Sequence, residues 1–226
     1  MNAALASLLL AAGALAAAPG VSGGLVVLAQ EVDVPEDIVL PAARTTGGMP
    51  LMDALAARRS TRDVSDRPLP PQVLSDMLWA AWGVNRDDGR RTAPSARNWQ
   101  EIDVYVVMES GTYLYDAAAH ILRGVSRDDL RAVTGAQAFV ATAPLNLVYV
   151  ADTERMRGVP AGLVDAYAWA DASFISQNVY LFCASEGLAT VVRAMVDRPA
   201  VARALGLPET RMVVMAQSVG YPASPD

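Results

Sequence analysis

Arg58-Arg59-Ser60-Thr61-Arg62 places three guanidiniums and two hydroxyls within five positions. Arg is planar, always charged and forked, which suits two-point contact with a phosphate or carboxylate. Arg58 and Arg62 stand four apart, so a helix continuing through them would set both on one face. The chemistry open to this run is anion binding; the alternative is a solvated basic turn. A second polar cluster, Pro94-Ser95-Ala96-Arg97-Asn98-Trp99-Gln100, leads directly into an apolar segment. Ser and Asn in a Pro-containing loop usually satisfy turn backbone. The third cluster is Ser176-Gln177-Asn178, inside a long apolar stretch. Buried amides need partners, so a structural network to neighbouring backbone is expected for Gln177 and Asn178.

The rest of the composition narrows the field. A chain of 226 residues suffices for one sizeable domain with its own core. With 18 Lys and Arg against 24 Asp and Glu, the net charge is −6. That balance argues against nucleic acid and against electrostatic attachment to anionic lipid. The Arg run is therefore a local site. A single cysteine, Cys183, and a single histidine, His120, exclude an internal disulfide and a His-rich metal centre. Cys183 reads as core, His120 as a surface or hinge residue, and Trp79 and Trp82 as core or interface packing. Asp87-Asp88 lacks a third ligand and reads as a turn, so no metal is expected. If the protein is an enzyme, a cofactor carries the chemistry.

These clusters need elements to position them. Residues 1–30 are apolar and uncharged from Ala3 to Ala18, with small residues before Pro19 and at Ala29. They read as a secretory signal peptide, too short in its apolar run to span a membrane. Export to the periplasm or medium is the expectation; a cytoplasmic protein with a misassigned start is the alternative, since no Lys or Arg precedes the apolar run. Residues 31–49 hold Pro35, Pro41, Gly47 and Gly48 and read as an extended arm. The domain proper is expected over 50–226.

Within it, Leu51, Met52, Leu55 and Ala56 predict a short amphipathic helix over 50–59. Pro70 and Pro71 open a second helix, buried through Val73, Leu74, Met77, Leu78, Ala81 and Trp82 and ended by Gly83. Strands are expected at 102–107, 113–115, 145–150, 189–192 and 212–216. Ser126 with Asp129 suggests a capping box. From Leu163 to Glu186 no Gly or Pro interrupts, which predicts one long, largely buried helix stopped at Gly187. Asp197 caps a last helix ended by Gly206. The mixture is α+β, a central, mostly antiparallel sheet between helices.

In this order and spacing the pieces resemble the nitroreductase family of FMN-dependent oxidoreductases, from about Pro50 to Pro222. The Arg58–Arg62 run is similar to that family's phosphate-binding segment. Pro94-Ser95-x-x-Asn98-x-Gln100 resembles its loop beside the flavin ring. Gln177-Asn178-x-x-Leu181 with Gly187-Leu188 resembles its central helix and following turn, and Gly220-Tyr221-Pro222 its closing segment. The resemblance implies an α+β sandwich forming a homodimer with two FMN sites at the interface. By resemblance, Arg58, Arg59, Ser60 and Arg62 hold the ribityl phosphate, and Pro94, Ser95, Asn98 and Gln100 approach the ring from the partner chain. Val192, Arg193, Ala194 and Met195 pass its other edge and offer backbone N–H groups. Hydride passes from NAD(P)H or another donor to flavin N5, then to a nitroaromatic, quinone or similar acceptor, in ping-pong order. No catalytic acid or base is implied.

Two departures stand out. The family's cation after the closing Gly-x-Pro is missing, since only Ala223-Ser224-Pro225-Asp226 follow; Arg193 and Arg97 are the candidates to replace it. Ala194-Met195 stands where some members carry Glu-Gly. The short ending and the leader also resemble an exported branch, with similarity to SagB-type oxidoreductases. An oxidase or dehydrogenase acting on a peptide or small molecule is therefore an alternative, and a flavin-binding module without turnover is another.

Overall fold

Strand β2 (Ile102–Met108) shows how the sheet is built. Its Ile102, Val104 and Val106 enter one apolar cluster, and Tyr105 and Val107 enter another on the opposite face. Side chains alternate along a strand, so a strand with apolar residues on both faces must be covered on both sides. The computed structural model describes residues 33–223 and shows that covering. The leader expected over 1–30 lies outside the described residues.

The other strands are β1 (Ile38–Val39), β3 (Gly111–Asp116), β4 (Ile121–Ser126), β5 (Leu145–Asp152), β6 (Ala189–Arg193) and β7 (Arg211–Gly220). They form one sheet in the order β1-β4-β3-β2-β5-β7-β6, antiparallel at every pairing. Helices α2 (Pro71–Trp82) and α3 (Val164–Glu186) cover one face. Leu74, Met77, Leu78, Ala81 and Trp82 of α2 share a core with Ala168, Ala172, Ile175, Val179 and Cys183 of α3. Helix α4 (Arg198–Ala204) and a 3-10 turn at Arg131–Thr134 lie on the other face, where Val201 and Leu205 meet Val107, Val148 and Val213. The expected α+β sandwich with a long central helix is what the chain adopts.

Local chemistry explains the helix ends. Pro70 is the N-cap of α2 and Pro71 its first residue, where a missing N–H costs nothing. Gly187 ends α3 in the left-handed conformation at φ 66°, and Leu188 N–H returns to Cys183 C=O. Asp197 accepts from Ala200 N–H at the start of α4.

Several expectations are corrected. Helix α1 (Leu51–Ala57) stops before the Arg run: Arg58 is its C-cap at ψ 124°, so Arg58 and Arg62 do not share a helical face. Only Ala54 of α1 is buried, while Leu51 and Met52 remain 64% and 73% exposed. Ser126 closes β4, a strand the sequence reading passed over, and its hydroxyl accepts from Asp128 N–H instead of capping a helix. The 131–134 turn has no side-chain cap. Tyr167 and Phe174 of α3 face outward rather than into the core.

His120 is neither a free surface group nor a hinge. Its Nε2 meets Ser75 Oγ at 2.7 Å and Pro41 C=O at 3.2 Å, and its Nδ1 meets Tyr115 Oη at 3.0 Å. Ser75 Oγ itself donates to Pro41 C=O, so Nε2 carries the proton and Tyr115 donates to Nδ1. This knot ties the arm to α2 and β3. Cys183 is core as expected, 1% exposed, with its thiol pKa pushed far up by burial.

Candidate functional site

After α1 the chain runs extended along the edge of the sheet. Thr61 N–H donates to Thr190 C=O of β6 at 2.9 Å. Ser60 Oγ and Tyr180 Oη are 2.8 Å apart, and the Arg58 guanidinium lies 5.4 Å above the Tyr180 ring. Tyr180 Oη also accepts from Val192 N–H at 2.9 Å. One phenol on α3 thus joins the Arg run to the edge strand. Beside it a cavity of about 300 Å³ is lined by Arg59, Thr61, Asp63, Tyr180, Gly187 and Thr190, among others. Neither Arg58 nor Arg62 has a carboxylate partner among the described residues. Of the run, Arg59 and Thr61 line this cavity together with Asp63, while Arg58, Ser60 and Arg62 do not. Guanidiniums and hydroxyls gathered in five residues are donors suited to a phosphate monoester, so the residues present fit FMN at this end.

The second cluster forms a separate, tightly tied loop. Arg97, Asn98 and Gln100 have φ of 49°, 56° and 50°. Non-glycine residues in this region are uncommon and cost on the order of 1–3 kcal/mol each, so surrounding bonds must hold them. They do. Gln100 N–H donates to Ser95 Oγ at 3.0 Å, and Gln100 Nε2 donates to Gly89 C=O and Asn98 Oδ1, both at 3.1 Å. Arg91 donates to Gln100 Oε1 at 2.9 Å and Arg155 to Gln100 C=O at 2.9 Å. Beneath them Asp171 of α3 accepts from Ala96 N–H at 2.8 Å. Pro94 and Asn98 remain exposed, and Ser95 half-buried. Within one chain this polar cluster first satisfies its own loop.

Next to Asp171 stands an acid the sequence reading missed. Glu101 is fully buried and neither carboxylate oxygen has a hydrogen-bond partner. Burial is the largest cause, and the Asp171 carboxyl adds to it, in pushing its pKa up to about 8. The loop over this pair hangs on Asp171, with the Glu101 carboxyl buried beside it. Tyr180 was missed too. No local pattern shows which backbone it reaches.

The 192–195 segment is divided. Val192 N–H donates to Tyr180 Oη within the chain. Arg193 turns to the other face of the sheet and is 4% exposed. It donates to Thr134 C=O at 2.6 Å, Asn146 Oδ1 at 3.0 Å and Ser218 Oγ at 3.2 Å, and burial lowers its pKa to about 10. Its guanidinium braces the 131–134 turn, on the face of the sheet away from Tyr180. Arg97 lies over Trp99 at 5.6 Å, in the loop cluster and not beside the Arg58–Arg62 run. Ala194 and Met195 are exposed. Among the described residues no acceptor engages either N–H, while Ala194 C=O accepts from Val196 N–H and Arg198. Asn178 donates to Ala80 C=O at 3.1 Å, the structural contact expected of it, whereas Gln177 is exposed.

The chain can now be set against known proteins. A model of the nitroreductase family matches residues 55–221. A protein of Methanocaldococcus jannaschii with the provisional name of nitroreductase is 34% identical over 151 residues, covering 62% of this chain and 76% of its own. A crystal structure from Ralstonia eutropha, also provisionally named a nitroreductase, superposes with TM-score 0.81 at 44% identity, covering 84% of this chain and 91% of that one. The NADPH:FMN oxidoreductase of Vibrio harveyi, solved with NAD+, shares the fold at TM-score 0.59 and 22% identity, covering 77% of this chain and 69% of that one.

Proposed function

From the premise that the chain belongs to the nitroreductase family of oxidoreductases, we propose that it binds FMN and transfers electrons from NAD(P)H or a comparable donor to a small acceptor such as a nitroaromatic or quinone. The observation carrying this reading is the Arg58–Arg62 segment, anchored through Ser60 and Thr61 while Arg58 and Arg62 lack carboxylates. When bound, FMN supplies two-electron chemistry in two half-reactions, one with the donor and one with the acceptor. This chain's residues do the rest. Arg58, Arg59, Ser60 and Arg62 hold the phosphate, and the pinned Thr61 backbone fixes their direction. Ala194 and Met195 offer N–H groups to the ring edge, with Val192 holding the strand in place through Tyr180.

The reading includes a homodimer in which Pro94, Ser95, Asn98 and Gln100 face the ring held by the partner. Leu51 and Met52 on α1 and Phe174 on α3 support it as large apolar side chains left exposed within one chain. It also takes residues 1–30 as a signal peptide, which predicts a mature N-terminus near residue 31 in protein recovered outside the cytoplasm.

The visible spectrum of the purified protein tests the proposal. Flavin bands that bleach with NADPH in the absence of oxygen are expected. Arg58→Ala with Arg62→Ala should weaken FMN by at least about tenfold and leave riboflavin affinity unchanged, because only FMN carries the phosphate. Equal losses for both ligands would remove the phosphate from this run, and a protein that takes up no flavin would end the reading.

A further inference from the structure

The geometry points to a second anion site, in a cleft of about 420 Å³ between the 85–91 turn and the 94–98 loop. Arg86, Arg90, Arg91 and Arg97 line it together with Ser95 and Asn98. In a chain of net charge −6, four guanidiniums around one concavity call for an account of what balances them. Asp88 pairs with Arg90. The other three hydrogen-bond only to neutral acceptors or lie over aromatic rings, with Asp88 attracting Arg86, and Asp116 and Asp103 attracting Arg91, from further off. Arg86 donates to Asn85 Oδ1 and Arg91 C=O, at 3.0 and 3.4 Å. Arg91 donates to Gln100 Oε1 and Trp82 C=O and lies 5.2 Å over the Trp82 ring. Arg97 lies over Trp99. Among the described residues none of these three has a carboxylate within 4.0 Å. Burial lowers the Arg91 pKa, the mark of a cation desolvated without a full counter-charge.

The cleft is also built to keep its shape. Its 97–100 wall holds three non-glycine residues at positive φ, tied from below by Asp171, Ser95 and Arg155. Solvated surface arginines do not require a strained, braced loop beneath them. Guanidinium forks on a fixed wall suit a planar or tetrahedral oxyanion.

This cleft takes the carboxylate or phosphate of a small molecule. It is not the phosphate run already described. Asp171, which holds the cleft's loop, and Tyr180, which holds Ser60, are nine residues apart on α3, a rise of roughly 14 Å. Anion capture stands on this geometry alone. That the captured molecule reacts at the flavin rests on the proposed function, in which this loop faces the partner's ring.

Two guanidiniums of the cleft lie over Trp82 and Trp99, so an anion drawing on them should change tryptophan emission. Full-length protein is titrated with pyrophosphate and, separately, with benzoate at constant ionic strength. A saturable change is expected with at least one. The Arg86→Gln/Arg97→Gln protein should lose about tenfold or more of that affinity, and Arg58→Gln/Arg62→Gln should keep it. Arg62, Arg86 and Arg97 are exposed and Arg58 half-buried, and thermal melts confirm folding. Pyrophosphate as the tighter ligand identifies a phosphate-bearing donor; benzoate identifies a carboxylate-bearing acceptor. Absence of saturation with both, or undiminished affinity in the Arg86/Arg97 variant, overturns the cleft. Flavin uptake recorded on the same variants reports separately on the proposed function, since its loss in Arg58→Gln/Arg62→Gln leaves the cleft titration intact.

Discussion

Glu101 is the residue whose surroundings depart furthest from what its type prefers. A fully buried carboxyl with no hydrogen-bond partner is costly to ionise, and Asp171 beside it adds like charge. Its pKa in the fold, about 8, lies above the ordinary 4.5. Between those values the folded chain keeps a proton that the unfolded chain has released. Stability from this group is therefore full below about pH 4.5 and falls as pH rises to about 8. Asp76, Asp116 and Asp129 act in the opposite sense. Their pKa values lie below 3.8, so their contribution is present above that value and fades in acid. The melting temperature should fall from pH 5 to pH 9, and Glu101→Gln should flatten that fall. Parallel curves for the two proteins would mean that Glu101 does not titrate in this window. Neighbours in sequence do not reveal such an acid: Glu101 precedes an apolar strand like any polar strand-opening residue.

At the scale of elements, α3 sets the spacing of the site. Asp171 holds the 94–100 loop and Tyr180 holds both the Arg run and β6. Tyr180→Phe removes one oxygen and leaves Val192 N–H and the Ser60 hydroxyl without their partner. The expected cost is about 1–3 kcal/mol in urea unfolding, with weaker FMN retention. Unchanged stability would show that water replaces the phenol at no loss, and the edge strand would then need another anchor. The length and end of α3 were legible in the sequence, because an uninterrupted apolar period and a following Gly are local signals. The fate of α1 was not. Its apolar spacing predicted a buried face, yet only Ala54 is covered within the chain.

That unburied face carries the argument to the whole molecule. Leu51, Met52, Tyr167 and Phe174 present apolar surface to solvent, as do Val39, Leu55, Leu163 and Met195 among the described residues. If they meet in a dimer, Leu51→Asp with Met52→Asp should convert it to monomer in sedimentation and release flavin, since in the proposed dimer the loop of one chain would complete the site of the other. A monomeric wild type, or a variant that stays dimeric, would place the interface elsewhere. The arm adds a second whole-chain feature. Arg123 and Gly124 of β4 bind Asp37, and Arg44 binds Asp76 of α2, so residues 33–44 are tied across the sheet edge and onto a helix.

By itself the sequence determined the family, the α+β class, the helices α2, α3 and α4, and the two clusters able to meet a cofactor. Each rests on periodicity, capping or a short motif, which are interactions between near neighbours. Only the tertiary structure decided what those clusters touch. It gave Val192 N–H to Tyr180, turned Arg193 to the far face of the sheet, buried Glu101 against Asp171, and gathered Arg86, Arg91 and Arg97 around one cleft. A side chain's partner across a sheet or helix depends on register and packing summed over the whole chain. That sum is not written in any local window.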